Sequence, residues 1–280
     1  MDLSILLVTY NQEKYIRESL DSILMQDLPD SCEIVIADDH STDNTPDIIK
    51  KVLDNAKVEY RMLQSHANIG INKNYQRGFK ACSGKFVAVM EGDDYWTDPF
   101  RIKKHIQFLE VHRECVLSFN RIIVFNQNNN HFFIPDWTSC NDFEYITSNQ
   151  LASGSFIGNM SACVYRNSAL KKLKDNFYDL GIMADWGMGV ALGRFGLIAK
   201  LKEGMSVHRV HNQGYWNNRS ANEKHLTFYN KLDQYNAYFE NDFHKEFMGF
   251  KRKLWMKKHR IPGFLRRYVS KIIAVIPGYS

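Results

Sequence analysis

Cysteine is sparse and unpaired in this 280-residue chain: Cys32, Cys82, Cys115, Cys140 and Cys163 are scattered, with no Cys-x-x-Cys pair. That spacing argues against a zinc site or a disulfide frame and for free thiols in a reducing compartment. No stretch approaches ~18 uninterrupted apolar residues, so no spanning helix is expected. Met1-Asp2-Leu3-Ser4 lacks a basic start, and Ile5–Val8 is too short an apolar run for a signal segment. Acidic residues are absent from 251–280, where nine Lys/Arg stand. The remaining 250 residues hold 27 basic and 31 acidic side chains, net −4, although the whole chain is +5. A mildly acidic body with a strongly basic tail argues against general nucleic-acid binding by the body. Hydrophobic content of 44% and charged content of 24% are ordinary for a soluble globular protein, and the length suffices for a full core.

The order of segments points to an α/β fold. Leu3–Val8 is an apolar run of the kind that forms a buried strand, and Tyr15, Ile16, Leu20, Ile23 and Leu24 follow at helical spacing. Glu33–Ala37 predicts a second strand and Thr45-Pro46 a helix start, with Thr45 as N-cap and Pro46 at the first helical position. Val58–Leu63 predicts a third strand, a helix is expected around Asn72–Ala81, and Phe86–Met90 predicts a fourth strand. Units of about 30 residues in this alternation imply a mainly parallel sheet flanked by helices. In such a sheet the strand exits share one edge, where ligands bind. That edge collects Thr9 and Tyr10, Asp38 and Asp39, Asn68 and Gly70, and Glu91, Asp93 and Asp94.

Glu91-Gly92-Asp93-Asp94 sets three carboxylates together at a strand end, with Gly92 freeing the backbone to turn. Packed so closely they repel unless a cation joins them, and oxygen ligands suit Mg²⁺ or Mn²⁺ sharing its shell with substrate phosphates. The plain alternative is a solvated acidic turn. Thr9-Tyr10-Asn11-Gln12 has no glycine, which disfavours both a dinucleotide-binding dehydrogenase and a nucleotidyltransferase with a Gly-rich phosphate loop. Asp39, Ser41 and Asp43 alternate as in a calcium loop, yet the glycine and distal glutamate of an EF-hand are missing.

Val8-Thr9-Tyr10-Asn11, Ser22-Ile23-Leu24-Met25-Gln26, Asp38-Asp39-His40-Ser41-Thr42-Asp43, Asn68-Ile69-Gly70 and Glu91-Gly92-Asp93-Asp94-Tyr95-Trp96-Thr97-Asp98-Pro99 stand in this order over about residues 3–110. With them the chain resembles a family 2 glycosyltransferase of the GT-A fold, bacterial type; beyond that span the likeness thins to Ala184-Asp185-Trp186 and Met205–His211. The resemblance implies a Rossmann-like, mostly parallel sheet. It also implies inverting transfer of a sugar, hexosyl or N-acetylhexosaminyl, from a nucleotide-sugar donor, usually UDP-linked, to an acceptor hydroxyl. By the same resemblance Thr9 and Tyr10 border the base, Asp39 accepts from uracil N3–H, and Asn68 and Gly70 belong to the donor site. The family's Asp-x-Asp falls on Glu91-Gly92-Asp93: Glu91, one methylene longer than the usual Asp, faces the ribose, and Asp93 binds Mn²⁺ or Mg²⁺. Asp94 shares or takes over that metal role, His211 lies near the diphosphate and metal, and Asp185 is the general base.

Each late residue has a second reading. Asp185 precedes the apolar run Met188–Leu192 and also suits a helix N-cap, a role compatible with that of a base. His211 is equally a loop histidine bonded to backbone, and Arg209 either faces phosphates or is solvated. Lys73 and Arg77 either touch the donor or lie on a surface. Arg121–Asn149, Asn-rich and aromatic, is expected to be loops lining the acceptor site, and Ser153–Val164 a strand and loop beneath it.

Residues 1–215 are expected to form the catalytic domain, with a nucleotide-sugar half to about 110 and an acceptor half beyond. Residues 216–280 form a helical, basic extension in which Leu226, Tyr229, Leu232, Tyr235, Tyr238 and Phe239 recur at helical spacing. Those helices pack on the body or on a second copy in a homo-oligomer. In 251–280, Lys/Arg interleave with Trp255, Phe264 and aliphatics, a composition that lies well at an anionic membrane surface; a solvated face or an acidic partner are the alternatives. Pro262-Gly263 rules out one continuous amphipathic helix. The whole reads as a cytoplasmic enzyme, peripheral at the inner face of the plasma membrane, building surface polysaccharide on a glycan or lipid-linked acceptor. A nucleotidyltransferase and a non-catalytic, membrane-associated nucleotide-sugar binder are the competing readings.

Overall fold

The computed structural model describes residues 1–56, 58–135, 141–154, 157–181, 184–214 and 220–260. Three β-α units open the chain. β1 (Leu3–Thr9) leads to α1 (Ile16–Leu24), β2 (Cys32–Asp38) to α2 (Thr45–Leu53), and β3 (Glu59–Met62) to α3 (Ile71–Ala81), before β4 (Phe86–Glu91). All four strands are parallel, in the order β3-β2-β1-β4, with Thr9 opposite Asp38 and Val8 opposite Glu91. Their apolar runs alternate between two covered faces. Leu3, Ile5 and Leu7 share a core with Ile16, Leu20 and Ile23 of α1 and with Ile49 and Leu53 of α2. Leu6 points the other way, to α3, where Gly78 admits it: a Cβ there would stand 2.6 Å from Leu6 Cδ1.

The chain continues through β5 (Tyr95–Trp96), α4 (Arg101–Val111), β6 (Cys115–Asn126), β7 (His131–Phe133), β8 (Phe143–Ile146), α5 (Ser148–Ala152), β9 (Cys163–Arg166), α6 (Asn167–Leu170), α7 (Ala184–Leu192) and β10 (Leu197–Val210). β9 runs antiparallel between β4 and β6, and β10 lies parallel to β6, so one sheet extends as β3-β2-β1-β4-β9-β6-β10-β5 with β7 on β6 and β8 on β10. The sheet is therefore parallel in its first half and mixed in its second. A one-turn 3₁₀ helix at Met160–Ala162 precedes β9.

Three local expectations change. Among the described residues much of the Asn-rich stretch from Arg121 is strand, because β6 continues to Asn126 along β10, β7 folds back on β6, and β8 pairs with β10. Among the described residues between 153 and 164, strand pairing begins at Cys163. Thr45 is the first residue of α2, and its hydroxyl takes the Gln12 backbone N–H (2.8 Å) instead of capping its own helix; Asn44 stands at the cap position.

The described residues fall into two compact units, one of 1–146 with 157–211 and the other of 147–156 with those from 212 on. The second contains α5, α8 (Ala221–Tyr238) and α9 (His244–Lys258), with capping boxes at Thr147/Gln150 and Ser220/Glu223. Leu232, Tyr235, Phe239, Phe243 and Phe247 are buried along the α8–α9 hairpin, whereas Leu226 is exposed. Lys251 donates to both oxygens of Asp233 (2.8 Å each), and the ring of Phe250 closes over Gly154. Cys32, Cys82, Cys115 and Cys163 are free and buried; Cys140 lies outside the described residues. Among the described residues no helix is long and apolar enough to cross a membrane.

Gly84 enters β4 against backbone: a Cβ there would lie 2.4 Å from Ser4 N and 2.5 Å from Leu3 C. Gly84→Ala is expected to cost roughly 1–3 kcal/mol of stability, seen as a lower thermal midpoint. An unchanged midpoint would mean that these backbones part easily.

Candidate active site

The exits of β2, β1 and β4 stand side by side. Asp39 N–H donates to Thr9 O (3.0 Å), and Gly92 N–H to Val8 O (2.9 Å). Thr9 thus lies between Asp39 and the Glu91–Asp94 turn, two strand spacings or roughly 10 Å across. Gly92 is required by proximity, because a Cβ would stand 2.3 Å from Gln12 Oε1 and 2.9 Å from Thr9 Oγ1. The Asp39 carboxylate accepts from the backbone N–H groups of Ile69 and Gly70 (2.9 Å each) and so holds the loop that opens α3. Around it, Asp38 accepts from Ser41 N–H (2.9 Å) and Oγ (2.5 Å), and Asn11 Oδ1 from Thr42 N–H (2.8 Å). Asn11 and His40 adopt left-handed φ of 52° and 64°, which these residue types tolerate. Tyr10 and Asn68 are exposed at the rim.

The three carboxylates of the turn differ sharply. Glu91 is half-buried; its N–H donates to Ser161 Oγ (3.0 Å), and Tyr75 Oη donates to its Oε1 (2.8 Å). Burial, then the charges of Asp94 and Asp93, push its pKa up to about 8. Asp93 presents Oδ2 to His211 Nε2 at 3.0 Å, with about 21% of the Asp93 side chain open to solvent. Asp94 is 1% exposed and turned inward. Its Oδ1 accepts from Arg209 N–H (2.9 Å) and its Oδ2 from Asn159 Nδ2 (2.5 Å) and Ser161 Oγ (2.6 Å). Ser19 Oγ holds its backbone carbonyl at 2.5 Å.

β10 supplies the cationic side. Arg209 donates to the Asp93 carbonyl (2.9 Å) and pairs with Glu18, and its guanidinium lies 5.1 to 5.5 Å from the ring centres of Tyr15, Tyr95 and Phe125. His208 Nδ1 stands 3.4 Å from Asp94 Oδ1. Burial opposes its charge, but Asp94, Glu91 and Asp93 outweigh that and hold its pKa up to about 9. Asp185 sits in the first turn of α7 and accepts from Trp186 N–H (2.7 Å). Burial raises its pKa, and the charge of His208 partly offsets the rise.

The model of the family described as glycosyl transferase family 2 matches residues 4–174. The chain belongs to that family. An uncharacterized protein of Mycobacterium tuberculosis, Rv1520, is 32% identical over 215 residues, 76% of this chain and 60% of that protein. The chain thus spans about 60% of this curated relative's length. Staphylococcus aureus poly(ribitol-phosphate) beta-N-acetylglucosaminyltransferase TarS is 34% identical over 118 residues, 42% of this chain and 20% of TarS. The crystal structure of TarS 1–349 matches with a TM-score of 0.67 and 19% identity, covering 99% of this chain and 81% of that one. Mannosyltransferase PcManGT from Pyrobaculum calidifontis, in complex with GDP-Man and Mn²⁺, matches with a TM-score of 0.63 and 15% identity over 99% of this chain and 81% of that one. At these identities the structures speak for the shared GT-A fold.

Within this family 2 frame, Thr9, Asp39, Gly70, Glu91, Asp93, Asp94 and His211 gather at one sheet edge, and Asp185 lies within electrostatic range of His208. Asp94 differs from Asp93: its carboxylate is 1% exposed and met by Arg209 N–H, Asn159 Nδ2, Ser161 Oγ and His208 Nδ1. Asp185 lies inside its helix, not at a cap. Lys73 pairs with Asp179 (2.5 Å), and Arg77 bonds Asn74, the Gln64 carbonyl and the Asp38 carbonyl, so both brace the fold. Among the described residues no three His, Cys, Asp or Glu are set to hold a metal by themselves. Sequence reasoning missed Tyr75, Asn159 and Ser161, which belong to no motif and reach the turn from distant segments.

Asp94→Asn is expected to destabilise the fold by about 2 kcal/mol, since an amide cannot accept from all these donors, whereas Asp93→Asn leaves stability near wild type. Thermal unfolding of the two variants checks this, and equal midpoints would overturn the distinction.

Proposed function

We propose that this family 2 enzyme transfers a sugar with inversion from a UDP-sugar to a hydroxyl of a glycan or lipid-linked acceptor, in the synthesis of a bacterial surface polysaccharide. One observation carries the reading: Asp39 and Asp93 follow neighbouring strand exits on the same sheet edge with Thr9 between them, Asp93 partly open and Asp39 buried on the Ile69–Gly70 loop, a span suited to one nucleoside diphosphate. Asp39 is the group for the base, bordered by Thr9 and Tyr10, with Asn68 and Gly70 on the loop it holds. TarS, which shares the fold, has been solved with UDP and with UDP-GlcNAc, which supports a uridine donor here. PcManGT was solved with GDP-Man, which makes GDP the control.

Asp93 and His211 would hold Mn²⁺ or Mg²⁺: a carboxylate oxygen beside an imidazole nitrogen, partly open to solvent, fits a cation whose shell a diphosphate completes. Such an ion supplies positive charge against the departing diphosphate. Asp185 takes the proton of the acceptor hydroxyl as its oxygen bonds the anomeric carbon and the bond from that carbon to the diphosphate oxygen breaks. The raised pKa makes Asp185 a stronger base than a solvated carboxylate, and the transfer rate declines as pH falls through that raised value. His208⁺ and Arg209 lower the cost of so many carboxylates in one place.

The last turns of α9 expose Lys253, Lys257, Lys258 and, just beyond, Arg260. We assign this end, with the basic chain that follows, to an anionic membrane surface, each Lys/Arg contributing about 1 kcal/mol. Residues 261–280, with Pro262-Gly263, lie outside the described residues.

Calorimetry with UDP, with and without Mn²⁺, tests the donor site: Asp93→Asn is expected to abolish the Mn²⁺-dependent part of binding, and intact binding would refute the metal assignment. Asp185→Asn is expected to keep UDP affinity while donor turnover, followed as UDP release, falls at least 100-fold. Unchanged release would favour another base. Deleting 261–280 together with Lys257→Glu and Lys258→Glu is expected to release the protein from anionic vesicles at ~0.15 M salt, and continued co-sedimentation would refute the surface contact.

A further inference from the structure

Tyr75 stands on α3, 2% exposed, and donates its hydroxyl to Glu91 Oε1 at 2.8 Å. Its ring stacks on Phe79 (5.9 Å), which meets Tyr165 edge-on (5.7 Å). The helix that carries it is fixed at its start by Asp39 on the N–H groups of Ile69 and Gly70, and by Asn74 Nδ2 on the Ala37 carbonyl (2.7 Å). Glu91 is held from the other side through its N–H on Ser161. Its Oε2 has no hydrogen-bond partner among the described residues, and the side chain is half-buried at the edge where Asp93 opens. A glutamate with both oxygens loose would reorient between the two vicinal ribose hydroxyls of a nucleotide. With Oε1 tied to a buried phenol, Oε2 has one direction.

We infer that Tyr75 is a positioning residue that aims Glu91 Oε2 at a single ribose hydroxyl of the bound nucleoside diphosphate. The inference rests on the donor reading given above. Tyr75 touches no substrate; it acts through Glu91, and it ties the ribose contact to the same helix that Asp39 anchors at the base end. The tether also offsets the extra methylene of a glutamate at this position, since it draws the longer side chain back against α3.

The test is calorimetric binding of UDP, 2′-deoxy-UDP and 3′-deoxy-UDP to the full chain with Mn²⁺. The wild type is expected to bind one deoxy analogue roughly tenfold more weakly than UDP and the other nearly as well as UDP. In Tyr75→Phe that discrimination is expected to fall to within about threefold, with UDP itself weakened less. A purely structural role would weaken all three ligands together and leave their ratio intact, and that outcome overturns the inference. Should Tyr75→Phe fail to fold, Glu91→Asp, which draws the carboxylate away from the phenol, is expected to flatten the ratio in the same way; a ratio kept by Glu91→Asp overturns it equally. Wild type that binds UDP but treats both analogues alike overturns this inference and leaves the donor site standing. Wild type that binds no UDP removes the donor reading and this inference with it.

Discussion

The buried carboxylate of Asp94 is the tie on which the candidate site depends. Its hydrogen bonds reach the segment before β9 through Asn159 and Ser161, and β10 through the Arg209 N–H, while Ser19 of α1 takes its carbonyl. A carboxylate out of water is tolerated only when its lone pairs are met, and here the donors come from two segments far apart in the sequence, the one before β9 and β10. Bringing those donors together is the same event as bringing Glu91, Asp93, His208 and His211 together.

A second constraint is charge. Glu91, Asp93 and Asp94 crowd three carboxyl groups at the end of the sheet, and His208 and Arg209 are the cations β10 returns to them. Arg209 is enclosed by Tyr15, Tyr95 and Phe125 and by Glu18, so its charge stays beside the Asp93 carbonyl and does not wander into solvent. The raised pKa of Glu91 follows from burial beside Asp94 and Asp93, and that of Asp185 from burial alone, shifts more typical of binding and catalytic sites than of packing.

Beneath the site lies a polar layer that the acidic turn rests on. The Ser161 carbonyl accepts from Trp96 Nε1 (2.8 Å) and Arg101 Nη2 (3.0 Å), and Arg101 Nε donates to Asn120 Oδ1 (2.9 Å). Burial lowers the Arg101 pKa to about 9, and the Trp96 ring lies 4.4 Å from its guanidinium. These contacts fix Ser161 from behind, which in turn fixes the Glu91 N–H and the Asp94 carboxylate.

The first half of the fold was legible because its signals are local. Leu3–Thr9, Cys32–Asp38 and Phe86–Glu91 are apolar runs that only a doubly covered strand can bury, and the polar residues that follow them, Tyr10 and Asn11, Asp39, and Asp93 and Asp94, must emerge on the common edge of a parallel sheet. The second half was not, because β6 hides Ser118 and Asn120 among apolar neighbours and β9 is four residues long, so neither has a period to read. The sequence alone determined which carboxylates leave which strands. Only the tertiary structure decided that Asp93 faces solvent and His211 while Asp94 turns inward, for the two are chemically identical neighbours. They differ solely in the donors that distant chain segments bring to them.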